Sequence, residues 1–190
     1  MGTFFRRSGG LIGRLIRDRQ ANAAIEFAFV VPLMLTMFFG LVEFSAAITI
    51  NRKVTLVART MSDLVSQSSV VSDNDLTNFT ETGKAIMTPY GPTPLKATVS
   101  ELYVDPDTLT AKVKWSKGSV PLSNDTPISI PAALKIAGTY LVYSQVEYKF
   151  TPAVGYLIDK ALGLTLKDET YTRPRQSLCV LYSPQKVCPT

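Results

Sequence analysis

Three regimes of hydrophobic patterning follow one another along the chain. From Phe27 to Val42 (FAFVVPLMLTMFFGLV) sixteen consecutive residues carry no charge. With its mostly apolar flanks this run reaches the roughly 20 residues that a helix needs to cross a hydrocarbon core about 30 Å thick. Glu26 and Glu43 bracket the run, and seventeen steps of 1.5 Å place them roughly 25 Å apart along a helix, each near an interface. Pro32 follows Glu26 by six residues, early enough for the helix to bend around its missing donor. The pattern then changes. From Asn51 to Ser68 (NRKVTLVARTMSDLVSQS) the apolar positions Val54, Val57, Met61, Leu64 and Val65 recur at steps of three and four, with Arg52, Lys53, Arg59 and Asp63 on other faces. Together the two segments predict one helix from about residue 24 to residue 67, roughly 65 Å long. It is greasy in its first half and one-sided in its second, so the second half requires a surface to cover its stripe. A separate surface helix after a break near Asn51 is the alternative.

Beyond residue 70 the elements shorten. Ser72 is placed to cap a second helix, with Asp75 at its positive end and Leu76, Phe79, Ile86 and Met87 as an incomplete stripe weakened by Gly83. Asp73, Asn74 and Asp75 lack the glycine and terminal glutamate of a calcium loop, so a cap is the expected role. The run TPYGPTP, from Thr88 to Pro94, stops the helix. Period-two alternation then takes over, at Ala97 and Val99, then Leu102 and Val104, and after Asp105-Pro106-Asp107 at Leu109, Ala111, Val113 and Trp115. This predicts a hairpin, with the lone tryptophan as a core or sheet-face anchor. Pro131 to Ala137 and Pro152 to Leu162 are predicted as short helices. Tyr140 to Phe150 is the strongest strand by its aromatic and branched content, and a further strand is expected from Leu164 to Tyr171. The fold class is α+β, with a long N-terminal helix packed on a small antiparallel-sheet domain.

Charge gives this arrangement a direction. Arg6, Arg7, Arg14, Arg17 and Arg19 against Asp18 make the first twenty residues +4, whereas residues 51 to 190 hold fifteen bases and twelve acids, or +3. By the positive-inside rule the N-terminus is expected in the cytoplasm and the C-terminal part outside the cytoplasmic membrane. The resulting organisation is a basic leader-like segment over residues 1–21, a membrane helix over 22–50, its amphipathic continuation over 51–69, and an exported domain over 70–190. An ordinary cleaved signal ending at Ser45-Ala46-Ala47 is opposed by the length of the apolar run and by Glu43 just ahead of the cut. No cluster of bases interleaved with aromatics appears in the exported part, so nucleic acid is not an expected partner.

Cys179 and Cys188 are the only cysteines. A disulfide closing the short loop between them is expected in an oxidising compartment, as a staple for the C-terminal tail. The chain has no histidine, and a zinc site usually needs four Cys or His ligands, so neither a metal nor another cofactor is expected. The usual residue sets for hydrolysis or group transfer are absent too, and the chain is not expected to be an enzyme.

The sequence around the apolar run resembles a known family. Ala23-Ala24-Ile25-Glu26-Phe27-Ala28, Val31-Pro32-Leu33 and Gly40-Leu41-Val42-Glu43-Phe44 are similar to the AAxEFA, P-L and G-x-x-EF pattern of TadE-like proteins, minor pseudopilins of the tight-adherence (Flp) pilus machinery. The similarity runs from Asn22 to about Asp63, and the Arg173-Pro174-Arg175 run before Cys179 looks like the tails of some members. It implies a pseudopilin-like fold and cleavage by a prepilin peptidase between Ala21 and Asn22, although Ala21 stands where the family usually has glycine. It also implies that Glu26, fifth in the mature chain, neutralises the new amino group of a neighbouring subunit, and that Phe27, Pro32, Gly40, Glu43 and Phe44 contribute to helix packing. Glu43 is read as a headgroup-level acid or a contact with another membrane helix. The implied partners are the cytoplasmic membrane, the major pilin, other minor pseudopilins and the pilus assembly platform. The larger related class marked by D-x-S-x-S does not fit, since that motif is absent. The competing expectation is a membrane-tethered or secreted ligand-binding domain with the Tyr140–Phe150 strand lining its pocket.

Overall fold

The computed structural model describes residues 19–152 and 163–189. The leader-like residues 1–18 and the short helix expected over Pro152 to Leu162 therefore lie outside the described residues, apart from Pro152 itself. One helix, α1, runs from Arg19 to Ser66 through Pro32 without a break at Asn51. The chain divides between Ser45 and Ala46 into two compact units, and each is described by itself.

In the first unit the helix is exposed all round, including Phe27, Phe29, Leu33, Met37, Leu41 and Phe44. Such a surface is the reverse of a water-soluble helix, which buries its large apolar side chains. Proline supplies no N–H to the turn before it, and Thr36 and Ser45 return their hydroxyls to the backbone, donating to the carbonyls of Pro32 and Leu41 at 2.8 and 2.9 Å.

The second unit begins with the last turns of α1 and is built on a five-stranded sheet. After the two-residue β1 (Val70–Val71), α2 (Asp73–Met87) starts at the expected cap. The Ser72 Oγ accepts from the Asp75 N–H at 3.3 Å and the Asp75 carboxylate accepts from the Ser72 N–H at 2.9 Å, a reciprocal capping box. The strands are β2 (Leu95–Val104), β3 (Ala111–Gly118), β4 (Pro127–Ile128), β5 (Tyr140–Phe150) and β6 (Leu164–Thr172), in the order β4-β3-β2-β5-β6 with antiparallel neighbours. A last strand, β7 (Leu181–Tyr182), pairs in parallel with β1.

The α1 stripe is buried as its spacing requires: Val54, Val57 and Val65 are fully covered and Met61 nearly so, while Leu64 is only half-buried. Each such side chain contributes roughly 1.5–3 kcal/mol of burial. Ile50, Ala58, Ser62 and Ser66 extend the stripe, and at Ser62 the helix meets the sheet. The Ser62 hydroxyl donates to Thr172 Oγ1 at 2.8 Å. Gly83 lets α2 approach α1, since a Cβ there would stand 3.0 Å from the Val57 methyl. At the end of α2 the Lys53 ammonium donates to the carbonyls of Ile86 and Thr88 at 2.7 and 2.8 Å, meeting the negative end of the helix.

The sheet separates two cores. Val99, Trp115, Val142 and Val146 face the helices, and Leu102, Val104, Ala111, Val113, Leu141 and Tyr143 pack on the other face beneath Ile130 and half-buried Leu122, Ile128 and Leu134. The expected hairpin is present as β2 and β3, but its second strand does not keep one face. The partner of Glu101 is Trp115 but that of Leu102 is Val113, so Lys114 is an extra residue in β3. A bulge of this kind shifts the pleat by one position, and it places Trp115 on the face opposite Ala111 and Val113. Leu109 lies outside the strand, in the turn, with φ +52°. The short helix expected over Pro131 to Ala137 is a single 3-10 turn, Ala132–Leu134.

Candidate functional site

The residues singled out on the apolar helix do not form one patch. At 100° per residue, Glu26, Gly40 and Phe44 fall within about 40° of one another along the helix, Glu43 and Pro32 lie about 80–100° to one side of their midline, and Phe27 lies roughly 120° to the other. Nothing stands within 4 Å of a Cβ placed on Gly40, so this line has a notch where another helix backbone can approach closely. Ala21 and Asn22 are within the first turns of α1.

The second unit holds a group that the hydrophobic pattern does not announce. Glu101 is completely buried, between β3 and β5 on the face toward the helices. One carboxylate oxygen accepts the Val180 N–H at 2.5 Å and the other accepts the Trp115 indole N–H at 3.1 Å. The same indole donates to the Val180 carbonyl at 2.7 Å. Burial pushes the Glu101 carboxyl up to about 7, with the two N–H donors pulling in the opposite direction. Its only trace in the sequence is the place where the alternation slips, between Val99 and Leu102.

Val180 belongs to the C-terminal tail, which these contacts hold. Cys179 and Cys188 are joined in a disulfide, as expected for the tail. Inside the closed loop, Leu181 donates to the Ser69 carbonyl and Ser183 to the Val71 carbonyl, at 3.0 and 2.9 Å. The Tyr182 hydroxyl donates to Asp73 at 2.7 Å, and the Lys117 ammonium sits 4.5 Å from the centre of the Tyr182 ring. Before the loop, the Arg175 N–H donates to the Ser66 carbonyl at the end of α1 at 2.9 Å, and its guanidinium pairs with Asp63.

The aromatics of β5 are structural. Tyr140, Tyr143 and Tyr148 are buried, with hydroxyls donating to the Pro189 carbonyl, Glu169 and the Gly91 carbonyl at 3.2, 2.8 and 3.1 Å. Burial and the Glu169 carboxylate raise the Tyr143 phenol well above its ordinary value, and burial together with Glu169 takes Tyr171 to about 12. An open depression of about 450 Å³ lies instead between α1 and β6, lined by Arg59, Thr60, Asp63, Leu64, Thr170 and Thr172. Among the described residues no group of three His, Cys, Asp or Glu is placed to hold a metal ion.

These features define a class: a single apolar N-terminal helix that fits a single-pass membrane protein, carried on into an α+β unit with a disulfide-closed tail. Residues 22–61 match the family model of TadE-like proteins, the family that the EF pairs and Pro32 resemble, and this family points to tight-adherence pilus assembly. The match covers the apolar helix and most of the buried stripe of α1, and it stops short of the sheet. No curated protein and no solved structure matches the chain.

Proposed function

We propose that this protein is a membrane-anchored minor pseudopilin that helps assemble or prime a tight-adherence pilus, without enzymatic activity. The observation that carries this reading is the TadE-like match over residues 22–61, falling on a helix whose apolar surface is uncovered on every side up to Phe44. Lateral packing of that helix on the helices of the major pilin and other minor pseudopilins is the mechanism, with the line through Glu26, Gly40 and Phe44 as the contact. The N-terminus lies in the cytoplasm, and the unit from Ala46 onward lies outside the cytoplasmic membrane, where its disulfide forms. A prepilin peptidase cuts between Ala21 and Asn22, and Glu26 then neutralises the amino terminus of the adjacent subunit.

Deletion of the gene is expected to remove surface pili and adhesion, and immunogold labelling of sheared pili separates a fibre component from one retained in the membrane. Gly40→Ile is expected to reduce piliation while the protein still accumulates in the membrane. Normal piliation in the deletion strain would refute the proposal. Mass spectrometry of the mature N-terminus tests the cleavage separately, with an intact leader as the contrary result.

A further inference from the structure

We propose that the C-terminal segment from Gln176 to Pro189 is a redox-controlled latch: closure of Cys179–Cys188 holds it on the sheet over Glu101 and Trp115, and reduction releases it while the sheet remains folded. The inference goes beyond a role in pilus assembly and does not depend on it.

Three observations converge on a segment that docks as a unit. Most of the attachments lie within the disulfide ring: the Val180 N–H on Glu101, the Val180 carbonyl on Trp115, the β7 ladder on β1 and the Tyr182 hydroxyl on Asp73. Outside the ring, the Tyr140 hydroxyl reaches the Pro189 carbonyl. The sheet beneath the segment is complete without it, because β7 pairs only with β1 and the order β4-β3-β2-β5-β6 contains no tail residue. Finally, docking seals a carboxylate: Glu101 keeps the Trp115 indole N–H from its own sheet but gains its second N–H partner only when Val180 is in place, and it is fully buried with the segment docked. Releasing the tail rehydrates Glu101, so docking works against the hydration of this group and requires an offsetting restraint. The ring supplies it, because a closed loop has fewer undocked conformations to lose.

The chemical step is a thiol–disulfide exchange. A dithiol gives two electrons and two protons, the S–S bond breaks, Cys179 and Cys188 become thiols, and the dithiol closes to its own disulfide. The contacts of Val180, Tyr182 and Pro189 and the two-residue β1–β7 ladder then act without the restraint of the ring against the hydration of a carboxylate, and the segment leaves. Arg175, fixed to Ser66 and Asp63, marks where the released segment begins.

The test uses the full chain in detergent micelles or lipid nanodiscs, with and without dithiothreitol. Trp115 is the only tryptophan and is 4% exposed, so it reports the latch directly. On reduction its emission is expected to shift to the red and its quenching by acrylamide to rise severalfold, while amide protection of β2 and β5 is retained. The Cys179→Ser/Cys188→Ser double variant is expected to show the same signature without reductant. Unchanged Trp115 emission and quenching after verified reduction would overturn the proposal. So would loss of β2 and β5 protection together with the tail, since the disulfide would then be a staple for the whole unit.

Discussion

Replacing Glu101 by glutamine removes the charge and keeps the shape, and the buried geometry fixes the sign of the result. In the unfolded chain this carboxyl titrates near 4.5, and in the fold it is pushed up to about 7. The folded state thus holds the proton over a range in which the unfolded state has lost it. Its contribution to stability is fully present below the unfolded value and is lost as pH rises through the folded one. A shift of this size corresponds to about 3 kcal/mol between roughly pH 4 and pH 8, at 1.36 kcal/mol per unit. Other displaced groups titrate outside this window, with Asp105 lowered to about 2 by Lys112 and backbone donors, and Tyr171 near 12. Urea unfolding of the full chain in nonionic detergent, followed by Trp115 fluorescence, is expected to show the native protein losing stability from about pH 5 to about pH 8. Glu101→Gln should lie within about 1 kcal/mol of it at the acid end, the cost of one hydrogen bond re-formed imperfectly, and exceed it at the alkaline end. An unchanged pH slope in the variant would refute the reasoning. A variant weaker by the same amount at every pH would refute it as well, by showing that the ionised carboxylate is stabilised by its two N–H partners more than burial penalises it.

Gly118→Ala is expected to cost about 3 kcal/mol or more, measured by thermal unfolding, because a Cβ there would stand 2.2 Å from the Ala97 carbonyl oxygen with φ at +137°. Leu109→Gly is expected to stabilise the unit by up to about 1 kcal/mol, since this exposed leucine occupies a left-handed turn. Lys53→Met should cost about 1–2 kcal/mol and speed amide exchange at the end of α2, through loss of the bonds to Ile86 and Thr88. Met61→Ala should cost about 2–4 kcal/mol through the cavity left between α1 and α2, while leaving membrane association of the first unit intact.

Residue patterns with one dominant cause were legible in the sequence. The stripe at Val54, Val57, Met61 and Val65 is buried because period 3.6 forces those positions onto one face, and Ser72 with Asp75 caps α2 through contacts three residues apart. The resemblance at Glu26, Pro32 and Glu43 was equally local, and it coincides with the TadE-like match. What escaped was set by pairing across long separations. The alternation through Leu109, Ala111, Val113 and Trp115 promised one face, but an extra residue at Lys114 divides it between two cores. Nothing near Lys114 in the chain signals that slip, which arises from the match of β3 to β2.

By itself the sequence determined the long helix, its change from all-round apolar to one-sided, the cap of α2 and the strand-forming character of Tyr140–Phe150, since each depends on neighbours within a few residues. The tertiary structure alone decided which faces of the sheet became core and how the disulfide-closed tail is held. It also decided that Glu101 is buried: an acid is read from sequence as a surface residue, and only the arrival of Val180, 79 residues away, and of Trp115 across the bulge removes it from water and supplies its hydrogen bonds.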